Sequence, residues 1–524
     1  MPASLQTPPP LRAAPPRPAA GRDLDALAAA LPEAVRLGPP GPRAVTGLAD
    51  HTSAVGPGSL FCCVPGATAD GHRFAPAAVA AGAAALLVGR ALPELPDTPQ
   101  ILVPDVRAAL AHLAKAFFGA PDRQLHVLGV TGTNGKTTTA FMCHAIWAAA
   151  RRPAALLGTV CYRVPGHEEP AALTTPGPIA LYGHLAEAVR GGAVAVALEA
   201  SSHALEQKRL DGLEVDTAIF TNLTHDHLDY HGTPMAYFAA KRRLFGPRPG
   251  GKPHPALAVV CTDGAAGRLI AREARACRQV ITYGLDGRAE VAGRYRLDGH
   301  GRPVLSVDGP WGRGECWLPL PGPHNARNAL AALAAAAAAG IPFDPAAHAL
   351  RTLPPVPGRF EPVDAGQPFA VVVDFAHNPD GLRQLLLAAR PACRGTLRLV
   401  FGCKGGDGDS GKRRRMGEIA ARLADAVYVT TDDPYSEDPA AIAAEVLGGI
   451  RDRGGLATVV LDRPAAIRRA ILEAEPGDLV AVAGRGHEAF QLVGGGRVPC
   501  DDRALCRAAL SEWLDGRSRA AAGG

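Results

Sequence analysis

Val127-Leu128-Gly129-Val130-Thr131-Gly132-Thr133-Asn134-Gly135-Lys136-Thr137-Thr138-Thr139 joins an apolar run to a glycine-containing turn, a lysine and three hydroxyls. The run from His126 to Val130 has the character of a buried strand, and Ala140 to Ala150 carries a helical pattern. Strand, turn and helix in that order form a phosphate loop. Gly132 and Gly135 let backbone N–H groups approach a polyphosphate, and the helix N-terminus adds partial positive charge. Lys136 would reach the outer phosphates, and Thr137 would offer its hydroxyl to Mg²⁺. The usual first glycine of the eight-residue pattern is Val130 here, with Gly129 one place early. The bland alternative is a Gly/Thr-rich turn that holds nothing. The preceding strand and Gly135-Lys136-Thr137-Thr138 argue against it.

Beyond the loop, apolar strands are expected at Ala193 to Leu198 and Thr217 to Phe220, with helical patterns between them. That alternation predicts a largely parallel sheet with helices on its faces. Polar residues gather where these strands end, which is where ligands bind in such sheets. Glu199-Ala200-Ser201-Ser202-His203 ends one, and Thr221-Asn222-Leu223-Thr224-His225-Asp226-His227-Leu228-Asp229 ends the next. Val291 to Leu320 alternates between Gly and Pro corners and predicts an antiparallel ribbon; Asn325 to Ala339 predicts an Ala-rich helix.

Upstream, a helix from Pro76 to Ala81, a strand from Ala84 to Val88 and polar loops at Asp50 to Phe61 and Gly66 to Phe74 suggest a small α/β domain. Downstream, Gly358-Arg359-Phe360-Glu361 marks a hinge. Strands are then expected at Ala370 to Val373, Leu397 to Phe401, Ala426 to Thr430, Thr458 to Leu461 and Leu479 to Ala483, in a second doubly wound unit. Its Gly402 to Gly411 loop is suited to an anionic group. The expected organisation is a disordered Pro-, Ala- and Arg-rich tail (1–23) and three α/β domains, at 24–123, 124–353 and 354–524.

The 524 residues suffice for several domains with ample core. Net charge is +5, spread along the chain apart from Lys412 to Arg415, without the dense basic face that nucleic acid requires. The 11 cysteines include no Cys-x-x-Cys pair, which favours reduced thiols in a cytoplasmic protein over a metal or disulfide framework. No stretch has the length and apolarity of a membrane span.

Mg²⁺ on a triphosphate wants oxygen ligands, which Thr137 and Glu199 supply. His227 is a candidate for a second metal because histidines, Asp226 and Asp229 surround it just past a strand. Lys241, in Tyr237-Phe238-Ala239-Ala240-Lys241-Arg242-Arg243-Leu244-Phe245, has by pattern the look of a solvated helix lysine.

These motifs, in this order, resemble the Mur ligases, ATP-dependent enzymes of bacterial cell-wall synthesis. Further matches are His324-Asn325-Ala326-Arg327-Asn328, Gly358-Arg359-Phe360-Glu361, Asp374-Phe375-Ala376-His377-Asn378-Pro379-Asp380 and Gly484-Arg485-Gly486-His487-Glu488. Ser201 to Leu205 with Gln207 and Arg209, and Asp226 to Gly232, are most similar to the members that add a diamino acid to UDP-N-acetylmuramoyl-L-alanyl-D-glutamate. The resemblance implies a UDP-binding first domain, a central ATPase domain and a Rossmann-like C-terminal domain. It implies that Gly132, Thr133, Asn134, Gly135, Lys136, Thr137 and Thr138 hold ATP. Asn325 and Asn328 would lie near adenine, and Arg359 and Asp374 near the nucleotide at the hinge. Thr52 and Ala67-Thr68-Ala69 would meet the UDP end. Thr174, Thr175, Ser201, Gln207 and Arg209 would hold the muramoyl-dipeptide. Lys136, Glu199, His227 and Lys241 would be catalytic, with Thr137, Glu199, His227 and Lys241 on metal. Lys241 would be N6-carboxylated, which reverses the pattern reading. Gly484, Glu488 and Asp432-Asp433-Pro434-Tyr435 would face the incoming amino acid.

Two departures stand out. The family's N-terminal Asp-Ser-Arg is His51-Thr52-Ser53 here, which keeps only a hydroxyl. The arginines of the diaminopimelate-adding enzymes align with Gly408 and Tyr435. A bidentate Arg–carboxylate pair is strong and directional, and Tyr does not replace it. The amino acid added, meso-diaminopimelate by family, is therefore open to L-lysine, L-ornithine or another. Other ligases of the superfamily and a non-catalytic nucleotide-binding regulator of wall synthesis are the competing readings. The expected reaction passes through an acyl phosphate, in a monomer that binds neither nucleic acid nor membrane.

Overall fold

The computed structural model describes residues 21–41, 44–66, 69–247, 254–406 and 410–522, the last five without side chains. Of the expected tail, 1–20 therefore lies outside the described residues, as do Ala67, Thr68 and Gly408. No helix among the described residues is long and apolar enough to cross a membrane.

Three large sheets follow one another along the chain. The first is five-stranded, in the order Val35–Leu37, Gln100–Leu102, Ala83–Val88, Ser59–Cys62 and Gly47–Ala49. It is parallel except at the Val35–Leu37 edge. Helix Val106–Phe118 leaves it, with Asp105 accepting from the N–H groups of Arg107 and Ala108 and left-handed Gly119 ending it. Lys115, near the end of this helix, donates to Gly212 O at 2.8 Å and pairs with Asp122 and Glu214 at 2.8 and 3.0 Å. One apolar core runs from Leu24 through this sheet to Cys277 under the next, so the first sheet is seated on the second.

The second sheet has eleven strands. Seven are parallel, in the order Val291–Leu297, Gln279–Gly284, Leu257–Cys261, Thr217–Phe220, His126–Thr131, Ala195–Glu199 and Ala154–Leu157. Antiparallel strands extend both edges: Pro303–Gly309 and Gly312–Trp317 form the expected ribbon, and Cys161–Val164 with His167–Pro170 extend the other side. His126–Thr131 is flanked on both sides by parallel strands, and its burial fits the near-continuous apolar run. Helix Lys136–Ala149 starts at the phosphate-loop lysine, so the three hydroxyls belong to its first turn. The Ala-rich helix Pro323–Ala338 packs on it; small side chains let the two approach closely.

The third sheet runs Glu361–Pro362, Ala370–Asp374, Leu479–Ala483, Leu397–Phe401, Ala426–Val429 and Thr458–Val459, parallel apart from the first pair. Two expected strands end earlier than their sequence pattern, at Val429 and Val459. A hairpin, Phe490–Val493 with Gly496–Pro499, precedes the terminal helix Asp502–Ala522.

Arg463 ties that helix to the sheet. It is wholly buried, donates to both Asp502 oxygens at 2.7 and 2.6 Å and gives a third bond to Ala483 O at 2.9 Å. Removing one partner of such a pair strands a buried charge. Asp502→Ala is expected to destabilise the C-terminal domain by about 3–5 kcal/mol, read as a lowered urea midpoint; an unchanged midpoint refutes this.

Candidate functional site

The phosphate loop lies where the parallel strands end. Gly132 and Gly135 have φ of 150° and 88°. A Cβ on Gly132 would stand 1.8 Å from Thr221 Oγ1, and one on Gly135 2.3 Å from Asn328 Oδ1. Thr221 Oγ1 and Asn222 Nδ2 donate to Asn134 O at 2.6 and 3.0 Å, fixing the loop from the neighbouring strand's end. Asn328 Nδ2 donates to Asn325 Oδ1 at 3.1 Å, and Asn325 Nδ2 to Pro321 O at 2.8 Å, so both asparagines are buried beside Gly135.

Lys136 Nζ donates to Gly132 O and Thr133 O, each at 2.9 Å. Lys241 Nζ donates to the same Gly132 carbonyl at 2.8 Å. Lys241 is 1% exposed, and its amine sits 4.3 Å from the Tyr237 ring centroid. The pattern reading of a solvated lysine is thereby corrected. Helix Pro234–Arg242 buries Tyr237, Phe238, Ala240 and Lys241, and the four-residue spacing of Tyr237 and Lys241 puts both on the inward face. Burial lowers the pKa of both amines, and at Lys241 the Lys136 charge lowers it further.

Glu199 ends its strand with a buried carboxylate. It accepts from Thr137 Oγ1 at 3.1 Å, and from Thr159 N and Oγ1 at 2.7 and 3.0 Å. Arg359 reaches in from the segment before the third sheet and donates to Thr137 Oγ1 at 2.8 Å. Its guanidinium stacks 4.7 Å from the Phe375 ring centroid. Asp374 Oδ2 accepts from Phe360 N at 2.6 Å; burial raises its pKa, against the pull of Arg359. His227, left-handed at φ 54°, holds Nε2 3.8 Å from Asp226 Oδ2. Burial lowers the pKa of its imidazole, against the pull of Asp226.

A contact that the sequence reading left without a role joins the loop to the C-terminal domain. Asn378 Nδ2 donates to Asn134 Oδ1 at 3.1 Å and to Asp226 Oδ2 at 2.9 Å. Asn134 Nδ2 donates to Asp380 Oδ2 at 2.9 Å. Asn378 also caps helix Pro379–Ala389, its Oδ1 accepting from Gly381 N. Asn-Pro is a helix-start signal, and it was the available clue to where this side chain sits.

A cavity of about 1110 Å³ is lined by Thr133 to Thr138, Thr159, Thr174, Glu199, Asp226, His227, Asn325, Asn328, Arg359, Asp374, Lys404, Lys412 and Tyr435, among others. The sequence candidates Thr133, Asn134, Gly135, Lys136, Thr137, Thr138, Thr174, Glu199, His227, Asn325, Asn328, Arg359, Asp374 and Tyr435 thus share one cleft. Lys241 stands just behind it through Gly132 O.

The other candidates lie outside the lining. Thr175 Oγ1 donates to Glu199 O at 2.7 Å and lies 3.1 Å from Ser201 Oγ. Arg209 donates to Gln207 Oε1 at 3.0 and 2.6 Å and to Thr175 O at 3.1 Å, forming a polar shelf beside the cleft. Thr52 opens a short 3-10 turn in the first domain, away from the cleft, and Ala69 O accepts from Gly66 N at 2.8 Å. Asp432 is wholly buried and bonded to Arg485, and a Cβ on Gly484 would sit 2.6 Å from its Oδ2. Asp432 is therefore behind the wall, a correction to its expected place facing the amino acid. Pro434 lies between these acids and left-handed Tyr435. Carboxylate oxygens of Asp432, Asp433 and Glu488 lie within 4.8 Å of one another. Cations already meet them: Arg485 bonds Asp432 and Asp433, and Lys404 Nζ lies 3.0 Å from both Asp433 and Glu488.

Three family models match the chain: "Mur ligase family, catalytic domain" over residues 45–118, "Mur ligase middle domain" over 130–336 and "Mur ligase, glutamate ligase domain" over 358–486. A Geobacillus kaustophilus protein named UDP-N-acetylmuramoyl-L-alanyl-D-glutamate--2,6-diaminopimelate ligase is 41% identical over 461 residues, covering 87% of this chain and 93% of the relative. A Thermosynechococcus vestitus protein of the same name is 46% identical over 465 residues, covering 87% and 91%. A solved structure with that name superposes at a TM-score of 0.62 with 31% identity, covering 90% of this chain and 95% of the other. MurF from Acinetobacter baumannii, at 18% identity and a TM-score of 0.63, shares the fold.

Proposed function

Because the chain belongs to the Mur ligase family, we propose that it joins meso-diaminopimelate to UDP-N-acetylmuramoyl-L-alanyl-D-glutamate, with cleavage of ATP, in peptidoglycan synthesis. The observation that carries this reading is the convergence of Glu199 and Arg359, from two domains, on the Thr137 hydroxyl, next in the chain to the loop lysine Lys136.

A carboxylate is a poor electrophile. In the proposed reaction the γ-phosphoryl group of ATP passes to the D-glutamyl side-chain carboxylate, with ADP leaving, to give an acyl phosphate. The amine of the amino acid then attacks the acyl carbon, loses a proton and expels phosphate. The transfer joins two anions, so charge and positioning dominate. Lys136 and the helix N-terminus at Lys136–Ala149 face the transferring phosphoryl group. Arg359 brings a second cation, from the C-terminal domain. Asn325 and Asn328 hold the loop from the adenine side, and Asp374 fixes the hinge through Phe360 N. Thr174, Thr175, Ser201, Gln207 and Arg209 offer the muramoyl-dipeptide a polar shelf, and Thr52 with Ala69 offers the UDP end a hydroxyl and backbone groups.

The donors at Thr137 and Glu199 are hard oxygens, which fits Mg²⁺; His227 and an N6-carboxylated Lys241 complete a set for two ions. Bound there, Mg²⁺ would supply neutralisation of phosphate charge. Lys241 is a wholly buried amine beside the Lys136 charge, and both burial and that charge favour the neutral amine needed to add CO₂. We place the protein in the cytoplasm as a monomer, where both substrates are soluble.

The test is phosphate release on mixing ATP, Mg²⁺, UDP-N-acetylmuramoyl-L-alanyl-D-glutamate and meso-diaminopimelate. Release that requires all components, with the tripeptide product, supports the reading. Nucleotide binding with no release for any amino acid would instead favour a regulator.

A further inference from the structure

Phe375 follows the strand Ala370–Asp374 and stands where three segments of the C-terminal domain meet. Its N–H donates to Gly358 O at 2.8 Å. A Cβ on Gly486 would lie 2.8 Å from Phe375 Cβ, and one on Gly358 would lie 2.4 Å from His487 N. The hinge, the end of this strand and the turn after Leu479–Ala483 are thus packed backbone to backbone, and Phe375 lines the cavity among them.

Two side chains rest on the Phe375 ring before they cross to the central domain. The Arg359 guanidinium lies 4.7 Å from the ring centroid, and the His487 imidazole centroid lies 5.2 Å from it at 47°. Arg359 goes on to Thr137 Oγ1 at 2.8 Å, and His487 Nε2 donates to Thr159 O at 3.1 Å. These two threonines hold Glu199, Thr137 through its hydroxyl and Thr159 through its N–H and hydroxyl. The C-terminal domain therefore grips the Glu199 carboxylate at second hand, by two arms that start from one ring.

Hydrogen bonding alone leaves both arms free to turn. Among the described residues, the bond to Thr137 is the one side-chain hydrogen bond of Arg359, and its Nε is buried without a partner. Asp374 and Glu199 attract it through space, which does not set the plane of the guanidinium. His487 is alike: Nε2 has Thr159 O, and Nδ1 is buried without a partner. An aromatic face fixes such groups, because its negative π face draws a planar cation over the centroid and packs an imidazole against it. Two other groups touch the ring and need it less. The Lys404 amine, 5.9 Å from the centroid, is held by Asp433 and Glu488, and His377, 4.7 Å from it, has its Nδ1 2.8 Å from Phe375 O.

We propose that Phe375 is a positioning residue for the transfer, its ring setting the angle at which Arg359 and His487 reach Thr137 and Thr159. Glu199 is then held from both sides when the C-terminal domain is seated on the central one. This rests on the ligase reading above, and it gives a part in the reaction to a side chain that has no polar atom.

The experiment measures phosphate release with UDP-N-acetylmuramoyl-L-alanyl-D-glutamate and meso-diaminopimelate for the unaltered protein, Phe375→Leu and Phe375→Tyr. Leucine keeps an apolar side chain and removes the π face; tyrosine keeps the face. In Phe375→Leu kcat is expected to fall about 3–30-fold, the scale of one desolvated cation–π contact. The KM for each substrate should stay within about twofold, the mark of an interaction that matters in the transition state. Phe375→Tyr should recover most of the loss. A side chain that merely filled space would be served as well by leucine as by tyrosine, so the order of the two variants separates the roles. Phe375→Met answers the same question if a lowered melting temperature shows that the leucine variant does not fold. Coupling supplies a second reading: in a His487→Ala background Phe375→Leu should cost less than in the unaltered protein, because one of the two arms is already gone. Equal kcat in the leucine and tyrosine variants, a change confined to a KM, or full additivity with His487→Ala overturns this inference and leaves the ligase reading standing. No release with any amino acid overturns both.

Discussion

Lys136→Ala is expected to lower phosphate release by about 10³-fold or more, the scale on which cations and donors aimed at a phosphoryl or acyl transition state act. The amine contacts only the loop's own carbonyls, at Gly132 and Thr133, so its loss removes no bond to another element. The loop itself is held by Thr221 and Asn222 from the adjacent strand, and these bonds survive the substitution. The effect should thus fall on turnover with the melting temperature nearly unchanged. Saturating phosphate-release assays check this, and a variant within tenfold of the original would remove Lys136 from the reaction.

Lys241→Ala is the second large effect, about 10²–10³-fold on kcat. Its amine and that of Lys136 bond one carbonyl oxygen, so two like charges are held close inside the protein. That arrangement is unfavourable for two ammonium groups and becomes favourable when one carries a carboxylate. On this reading the missing function in Lys241→Ala is a carboxylate in a small hole. Acetate or formate at high concentration should recover part of the activity, while chloride at equal ionic strength should not. Rescue by both salts alike, or full activity without either, would sink the carboxylated form.

What could be foreseen depended on range. The phosphate loop, the run from Thr221 to Asp229 and the parallel core were legible because their signals are local: apolar runs, glycine spacing and polar residues just past strands. The strands Ala154–Leu157, Cys161–Val164 and His167–Pro170, at one side of the central sheet, were not anticipated. Each has only four residues, too few for a clear periodicity. Lys241 was misjudged from pattern because a helix stripe of Tyr237, Phe238, Ala240 and Lys241 hides a charged residue on its buried face. The family resemblance, not periodicity, pointed inward. Asn378 and Lys404 lay in stretches that were singled out but received no role of their own, for another reason: their partners are far along the chain. Asn378 meets Asn134, and Lys404 meets Glu488. Local spacing carries no information about such pairs. Asp432 shows the converse: the resemblance put it facing the amino acid together with Tyr435, yet Arg485 bonds it in the interior.

Gly129 occupies the place one short of the expected first loop glycine, and its surroundings give that offset a use. A Cβ there would stand 3.2 Å from Leu244 Cδ1 and 3.5 Å from Val215 Cγ1. Leu244 is bonded through its backbone N–H to Lys241 O at 3.2 Å. The bare backbone at Gly129 is therefore a spacer: it sets how near the Lys241 segment settles against the central strand. A methyl group at this position would press on Leu244 Cδ1 and require it to give by a few tenths of an ångström, three residues past the amine that meets the Gly132 oxygen.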